Sequence, residues 1–121
     1  MLDTPKNFYK KFLGASGEKL AEKHLKKCGY KLLCRNFKTR FGEIDLIFSD
    51  GNTIVFVEVK TRSSSDFGEP SEAVNFKKRE KYRIVAEEYL MREQKTDSLC
   101  RFDVIEVKNK QINHIKDAFF V

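Results

Sequence analysis

Two apolar segments on either side of Gly51-Asn52 constrain the fold of this chain more than any other feature. Residues 43–50 and 53–61 are rich in isoleucine, valine and phenylalanine, which favour strands. Gly followed by Asn fits the central positions of a type II′ turn, the tight connection of many β-hairpins. We therefore predict that the two segments pair as antiparallel strands.

The turn also sets which charged side chains face each other. With Gly51-Asn52 as the loop, Asp45 lies directly opposite Glu58, and Lys60 shares that face because side chains alternate along a strand. If the loop begins one residue earlier, Asp45 faces Phe56 but stays on the Glu58 face. A three-residue loop would separate the two carboxylates.

Apolar periodicity along the rest of the chain predicts the other elements. We expect a helix over 16–28, preceded by a helical segment over 5–13 that is interrupted near Gly14 and Gly17, and a second helix over 72–93. Further strands are expected at 30–37, 99–107 and 112–115. A chain of 121 residues has room for one core, so residues 1–121 should form a single α/β sandwich around a mixed sheet of about five strands.

The chain carries a formal net charge of +6, and its basic residues are clustered. One acid, Glu22, stands among eight bases between residues 19 and 40. Such a surface attracts polyphosphate backbones, although a solvated helix face is an equal alternative. The eight bases are Lys19, Lys23, Lys26, Lys27, Lys31, Arg35, Lys38 and Arg40.

Several classes of protein do not fit the sequence. Apolar runs such as Ile54 to Val57 are far shorter than the roughly 20 residues of a spanning helix, and the N-terminus has no apolar stretch typical of export. Three cysteines without C-x-x-C spacing, Cys28, Cys34 and Cys100, are expected to be reduced core residues. We therefore expect a cytoplasmic protein with no membrane partner.

The chemistry of the hairpin centres on its paired carboxylates. Asp45 and Glu58 would repel each other among apolar neighbours unless a cation lies between them. Mg²⁺, which binds carboxylates, is such a cation. Such an ion activates water against a phosphodiester, and Lys60 could orient that water or neutralise developing charge. The alternative is an exposed sheet edge, where these side chains are solvated or form a salt bridge.

An aspartate followed by Glu-x-Lys on the next strand is the active-site signature of the restriction-endonuclease-like (PD-(D/E)XK) nuclease superfamily, which this sequence resembles. The wider run resembles the YraN-type family of small bacterial proteins in that superfamily, which are related to archaeal Holliday-junction resolvases. The resemblance covers about residues 17–119. It is carried by Gly17-Glu18, Arg35-Asn36, Gly42 to Ile47, Phe56 to Lys60, Arg62, Phe67-Gly68, Pro70, Arg101 to Val104 and Ala118-Phe119.

The resemblance implies a restriction-endonuclease-like α/β/α sandwich with a core at about 16–119. It also implies an endonuclease dependent on Mg²⁺ or Mn²⁺ that hydrolyses DNA, with branched or junction DNA as a candidate substrate, and the resolvases suggest a homodimer. Asp45 and Glu58 would be metal ligands and Lys60 the catalytic lysine. Glu18 and the backbone carbonyl of Val59 would be further ligands. For Glu18 the alternative is an acid in a first helical turn, where the macrodipole favours it.

Arg62 and Lys78 are weaker candidates for contact with nucleic acid. Arg62 leaves the Glu-x-Lys strand and could touch a phosphate backbone, although an ordinary polar loop is equally plausible. Lys78 stands where relatives often carry glutamine, and it reaches either the scissile phosphate or solvent. Asp103 is interpreted as structural. His24 and His114 are interpreted as core or surface histidines.

Two functions from different classes therefore compete. One is a nuclease that uses Glu18, Asp45, Glu58 and Lys60. The other is a nucleic-acid-binding module whose nuclease site is vestigial. The presence of all four residues favours the enzyme, because a decayed site should have lost at least one of them.

Overall fold

The computed structural model describes residues 6–62 and 76–118, with side chains described for 16–62 and 77–118. These ranges form two helices and five strands. The helices are α1 (Lys6–Lys27) and α2 (Phe76–Arg92), and the strands are β1 (Lys31–Thr39), β2 (Gly42–Asp50), β3 (Thr53–Arg62), β4 (Leu99–Lys108) and β5 (Gln111–Ile115).

The strands form one mixed sheet in the order β1-β2-β3-β4-β5. Neighbours pair antiparallel except β3 and β4, which are parallel and therefore need a crossover connection. In sequence α2 lies between these two strands. The α/β fold with a central mixed sheet is thus confirmed, and β2 and β3 are interior strands of the sheet.

Each face of the sheet is covered by one helix, so the interior strands are apolar on both faces. On one face α1 packs with Ala21 and Leu25 against the sheet, and on the other α2 packs with Val85, Ala86 and Tyr89. The strand residues facing α1 are Leu46, Phe48, Val55, Val57, Ile105 and Val107. Those facing α2 are Ile44, Ile47, Ile54, Phe56, Phe102 and Val104.

The hairpin has the predicted turn and register. Gly51 has a φ of 60°, whereas Asn52 is not in the left-handed region, as a type II′ turn requires. Asp50 pairs with Thr53, and the same register continues to the pair Leu46–Val57. The one-residue shift and the three-residue loop are both excluded.

The predicted interruption of the first helix is wrong, because α1 is continuous from Lys6 through Gly14 and Gly17. A glycine inside a helix costs only about 1 kcal/mol relative to alanine, which packing of the apolar face outweighs. The second helix ends at Arg92, close to the expected end. Its expected first residues, 72–75, belong to the stretch 63–75, which lies outside the described ranges.

The cysteines differ from expectation in their burial. All three are free thiols, but Cys28 and Cys100 are exposed and Cys34 is only half-buried. The apolar stripe of α1 ends at Leu25, because the helix stops two residues later and Gly29 takes a φ of 90°. Within the described ranges, neither helix is long and apolar enough to cross a membrane.

Candidate metal centre

The candidate site lies where β2 and β3 stop pairing. The described pairing of β2 with β3 runs from the turn to Leu46 and Val57. Asp45, just before Leu46, and Glu58, just after Val57, are the next residues away from the turn. Beyond that pair the backbone N–H of Val59 donates to Oδ2 of Asp45 at 2.8 Å. The Asp45 and Glu58 carboxyl groups lie in hydrogen-bonding contact. The predicted register therefore brings the two carboxylates together.

Glu18 reaches the same place from α1. Carboxylate oxygens of Glu18, Glu43 and Asp45 lie within 4.8 Å of one another. Because α1 begins at Lys6, Glu18 lies in the middle of the helix rather than in its first turn. The macrodipole explanation for an acid at this position is therefore removed.

Glu43 is a member of the group that sequence reasoning missed as a candidate ligand. In an ideal register it would face Lys60, but Lys60 forms its ion pair with Glu58 at 3.2 Å. Glu43 instead lies beside Glu18 and Asp45, with Lys38 at 3.6 Å. The available signal was its spacing of two residues from Asp45, which places both on one face of a strand. We call Glu18, Glu43, Asp45 and Glu58 the acidic cluster.

Asn36, on β1, forms hydrogen bonds with two carboxylates of this cluster. It lies between the pairs Arg35–Leu46 and Phe37–Ile44, opposite Asp45, and it has a φ of 50°. In the amide orientation that satisfies both neighbours, its nitrogen donates to Oε1 of Glu18 at 2.9 Å and to Oε1 of Glu43 at 3.2 Å. Asn36 thus ties the helix to the sheet at the acidic cluster.

Burial and mutual repulsion dominate the electrostatics of the cluster. Burial and the Glu58 charge raise the pKa of Asp45 to about 8. Burial and the charges of Glu43 and Glu58 also raise the pKa of Glu18. The Tyr82 hydroxyl hydrogen-bonds Glu58, and burial and that carboxylate raise the pKa of Tyr82. A divalent cation with oxygen ligands fits this arrangement, because it would relieve the repulsion.

Two lysines lie beside the carboxylates. Lys60 contacts Glu58 through the ion pair described above. A salt bridge of this kind was part of the alternative prediction, in which the charged residues lie on an exposed sheet edge. The exposed sheet edge of that interpretation is wrong, because β3 is an interior strand and Glu58 is only 12% exposed. The amine of Lys78 reaches from α2 to Lys60, and this contact lowers the pKa of Lys78.

Gly17 allows α1 to approach β3 closely enough for Glu18 to join the cluster. A Cβ atom at Gly17 would lie 2.0 Å from Oγ1 of Thr61. No side chain larger than hydrogen fits there without movement of the helix or of Thr61.

We therefore expect Gly17→Ala to lower the free energy of unfolding by about 1–3 kcal/mol through overpacking, as measured by thermal melting. In a Thr61→Ala background the same change should cost much less, because the clashing oxygen is gone. An equal cost in both backgrounds would show that this contact does not set the helix position.

The predicted nucleic-acid contacts do not all lie in one place. Lys19, Lys23, Lys26 and Arg35 line a groove of about 700 Å³ between α1 and β1. Arg40 lies outside it, with its guanidinium 4.8 Å from the ring centre of Phe41. The remaining candidates, Lys38, Arg62 and Lys78, contact Glu43, Glu106 and Lys60 respectively.

Asp103 is structural, as interpreted from the sequence. It is fully buried and receives hydrogen bonds from Nε and Nη2 of Arg101, at 2.9 and 3.0 Å, and from the backbone N–H of Asp117 at 3.0 Å. Nε2 of His114 lies 2.8 Å from the same carboxylate. The His114 ring packs edge-on against His24. Neither histidine belongs to a cluster of three metal-ligating groups within the described part of the chain.

Comparison with known proteins places the chain in a family. The model of the Uncharacterised protein family UPF0102 matches residues 17–107. A UPF0102 protein of Caldicellulosiruptor saccharolyticus is 50% identical over an alignment 116 residues long, which covers 91% of this chain and 98% of that protein. One from Alkaliphilus oremlandii is 52% identical over an alignment 115 residues long, which covers 90% of this chain and 98% of that protein. The resemblance to the YraN-type family is thereby confirmed, and the chain belongs to the UPF0102 (YraN) family.

Proposed function

We propose that the protein is a metal-dependent nuclease that hydrolyses phosphodiester bonds of DNA at the acidic cluster. The observation that carries the proposal is the convergence of Glu18, Asp45 and Glu58 from a helix and two strands, with Lys60 ion-paired to Glu58. The resemblance to the PD-(D/E)XK superfamily supports the same assignment of residues. The basic groove beside the cluster supports a polyanionic substrate.

The cluster offers hard oxygen ligands, which Mg²⁺ and Mn²⁺ prefer. Asp45 and Glu58 would hold the ion, with Glu18 and the Val59 carbonyl as further ligands, and Glu43 adds a carboxylate beside them. When bound, such an ion polarises a phosphodiester and supplies hydroxide at neutral pH.

The residues around the carboxylates keep them in place. The Val59 N–H holds Asp45, the Asn36 amide holds Glu18 and Glu43, and the Tyr82 hydroxyl holds Glu58. A site fixed in this way spends little free energy on reorganisation during the reaction. Lys60 presents its ammonium at the same carboxylates, where it would orient the attacking water or neutralise negative charge developing on the phosphate.

We expect Lys60→Ala to lower the cleavage rate by about 100-fold or more, because it removes one preorganised positive charge from the transition state. Divalent-ion binding should persist, since the carboxylates remain. Single-turnover cleavage together with Mn²⁺ titration measures both quantities. Lys110→Ala, in the exposed turn between β4 and β5, is the control for loss of a charge. Unchanged cleavage by Lys60→Ala would remove Lys60 from the mechanism.

A panel of labelled DNAs tests the proposed activity and finds its substrate. Four-way junction, flap, duplex and single-stranded DNA are incubated with Mg²⁺ or Mn²⁺ and compared with an EDTA control. We expect cleavage of at least one of them that depends on metal. Binding without cleavage of any of them would favour the nucleic-acid-binding module. The homodimer belongs to the same proposal, and sedimentation at several protein concentrations tests it.

A further inference from the structure

The groove between α1 and β1 has an unusual balance of charge. Five bases and one acid line it, and it has a volume of about 700 Å³. The bases are exposed to solvent, as a surface that receives a ligand must be. The lining residues are Lys19, Glu22, Lys23, Lys26, Lys27 and Arg35, and we call this surface the α1–β1 groove.

Glu22 is held by two of these bases. Its Oε1 accepts from Nε of Arg35 at 2.6 Å, and its Oε2 accepts from Nη2 of Arg35 at 2.9 Å and from Nζ of Lys26 at 2.8 Å. These hydrogen bonds lower the pKa of Glu22 to about 2. The two-pronged contact from Arg35 is the geometry with which arginine also binds a phosphate.

The groove lies beside the acidic cluster. Glu22 follows Glu18 by one turn of α1, about 6 Å along the helix axis. On β1 the order is reversed, since Arg35, which binds Glu22, precedes Asn36, which binds Glu18. The basic contact and the acidic contact therefore lie next to each other along the same pair of elements.

We propose that the α1–β1 groove receives the sugar–phosphate backbone of a DNA strand on its way to the acidic cluster, and that Glu22 takes the place of one backbone phosphate while the groove is empty. The proposal rests on the proposed nuclease function, because the strand would run to the acidic cluster as the place of cleavage. Charge complementarity identifies the occupant, because several bases along a groove fit successive phosphates of one strand. Glu22 keeps Arg35 and Lys26 in position and competes with the strand for them.

Removal of the Glu22 charge tests this competition. Glu22→Gln should tighten binding of a fluorescein-labelled 25-base-pair duplex about threefold or more, measured by anisotropy in EDTA so that no cleavage occurs. The slope of log Kd against log salt should become steeper by about 0.9, because one more phosphate is neutralised. Thermal melting of the variant establishes that the fold is kept.

Two further variants separate competition from a general change in charge. Glu88→Gln removes the same charge and an ion pair with Arg92 of 2.7 Å on α2, and it should leave affinity and slope almost unchanged. In an Arg35→Ala background the gain from Glu22→Gln should shrink, since the two residues act through one contact. Equal gains from both glutamine variants, or a gain independent of Arg35, would overturn the proposal.

The outcome for the groove is distinguishable from that for the nuclease. Wild-type protein that cleaves DNA with Mn²⁺ but shows no effect of Glu22→Gln in EDTA would refute the groove and leave the nuclease standing. The expected binding changes without any cleavage would support the groove and refute the nuclease. Absence of duplex binding by the wild type in EDTA would also overturn the groove.

Discussion

Asp45→Asn is expected to abolish cleavage of DNA while it stabilises the metal-free protein by about 1–2 kcal/mol. Asparagine keeps the size of the side chain and an oxygen that accepts from the Val59 N–H. It removes the negative charge that a divalent cation requires and that Glu58 repels. The measurements are cleavage with Mn²⁺ and thermal melting in EDTA.

The stabilisation should depend on pH with a definite sign. The pKa of Asp45 is about 8 in the folded protein and 3.8 in an ordinary setting, so the folded state holds the proton more tightly. Stability of the wild type should therefore fall as pH rises from about 4 to 8 on account of this group. The advantage of Asp45→Asn should grow over the same window. The exposed Asp97→Asn is the control, and an equal change from it would contradict the explanation.

The largest loss of stability should come from Asp103→Ala, at about 3–5 kcal/mol. The variant removes a fully buried carboxylate and leaves Arg101 and the Asp117 N–H without that partner. Arg101 keeps its contacts with Asp50 at 3.2 Å and with the Tyr30 hydroxyl at 2.9 Å, which do not replace the lost bidentate pair. Denaturant unfolding measures the loss.

The same network gives a second dependence on pH, opposite in sign. Burial alone would raise the pKa of Asp103, but hydrogen bonds from His114 and Arg101 hold it below the usual value of 3.8. The stabilisation of the folded state by these hydrogen bonds is complete above about pH 4. It is lost as pH falls through the folded-state pKa of Asp103. Glu87→Gln on the outer face of α2 is the control. A loss below about 1 kcal/mol for Asp103→Ala would show that the network is dispensable.

The sequence predicted the β2–β3 hairpin well because one local signal decided it. Gly51 supplies the positive φ that the turn needs, and the two-residue loop then fixes the pairing from Asp50–Thr53 to Leu46–Val57. Asp45 and Glu58 were therefore placed together before any tertiary contact was known. The strand ends were accurate to one or two residues, since polar and apolar positions change sharply there.

The rest of the site depends on tertiary geometry that periodicity does not contain. Glu43 joins the cluster because β2 and β3 cease to pair beyond Leu46 and Val57. Asn36 reaches Glu18 because its own backbone adopts a φ of 50° at the point where α1 passes β1. The continuity of α1 through Gly14 and Gly17 was missed because two glycines lower the local helix propensity, although a packed helix tolerates them.

Calorimetric titration of the wild type with Mn²⁺, with and without DNA, is the most direct test of metal binding at the acidic cluster. We predict saturable binding by the wild type, loss of that binding in Asp45→Asn, and its retention in Lys60→Ala. The carboxylates of the acidic cluster are expected to hold the ion, and Lys60 to act only in the reaction. Absence of divalent-ion binding by the wild type even with DNA present would refute the metal-dependent nuclease and leave the nucleic-acid-binding module in its place.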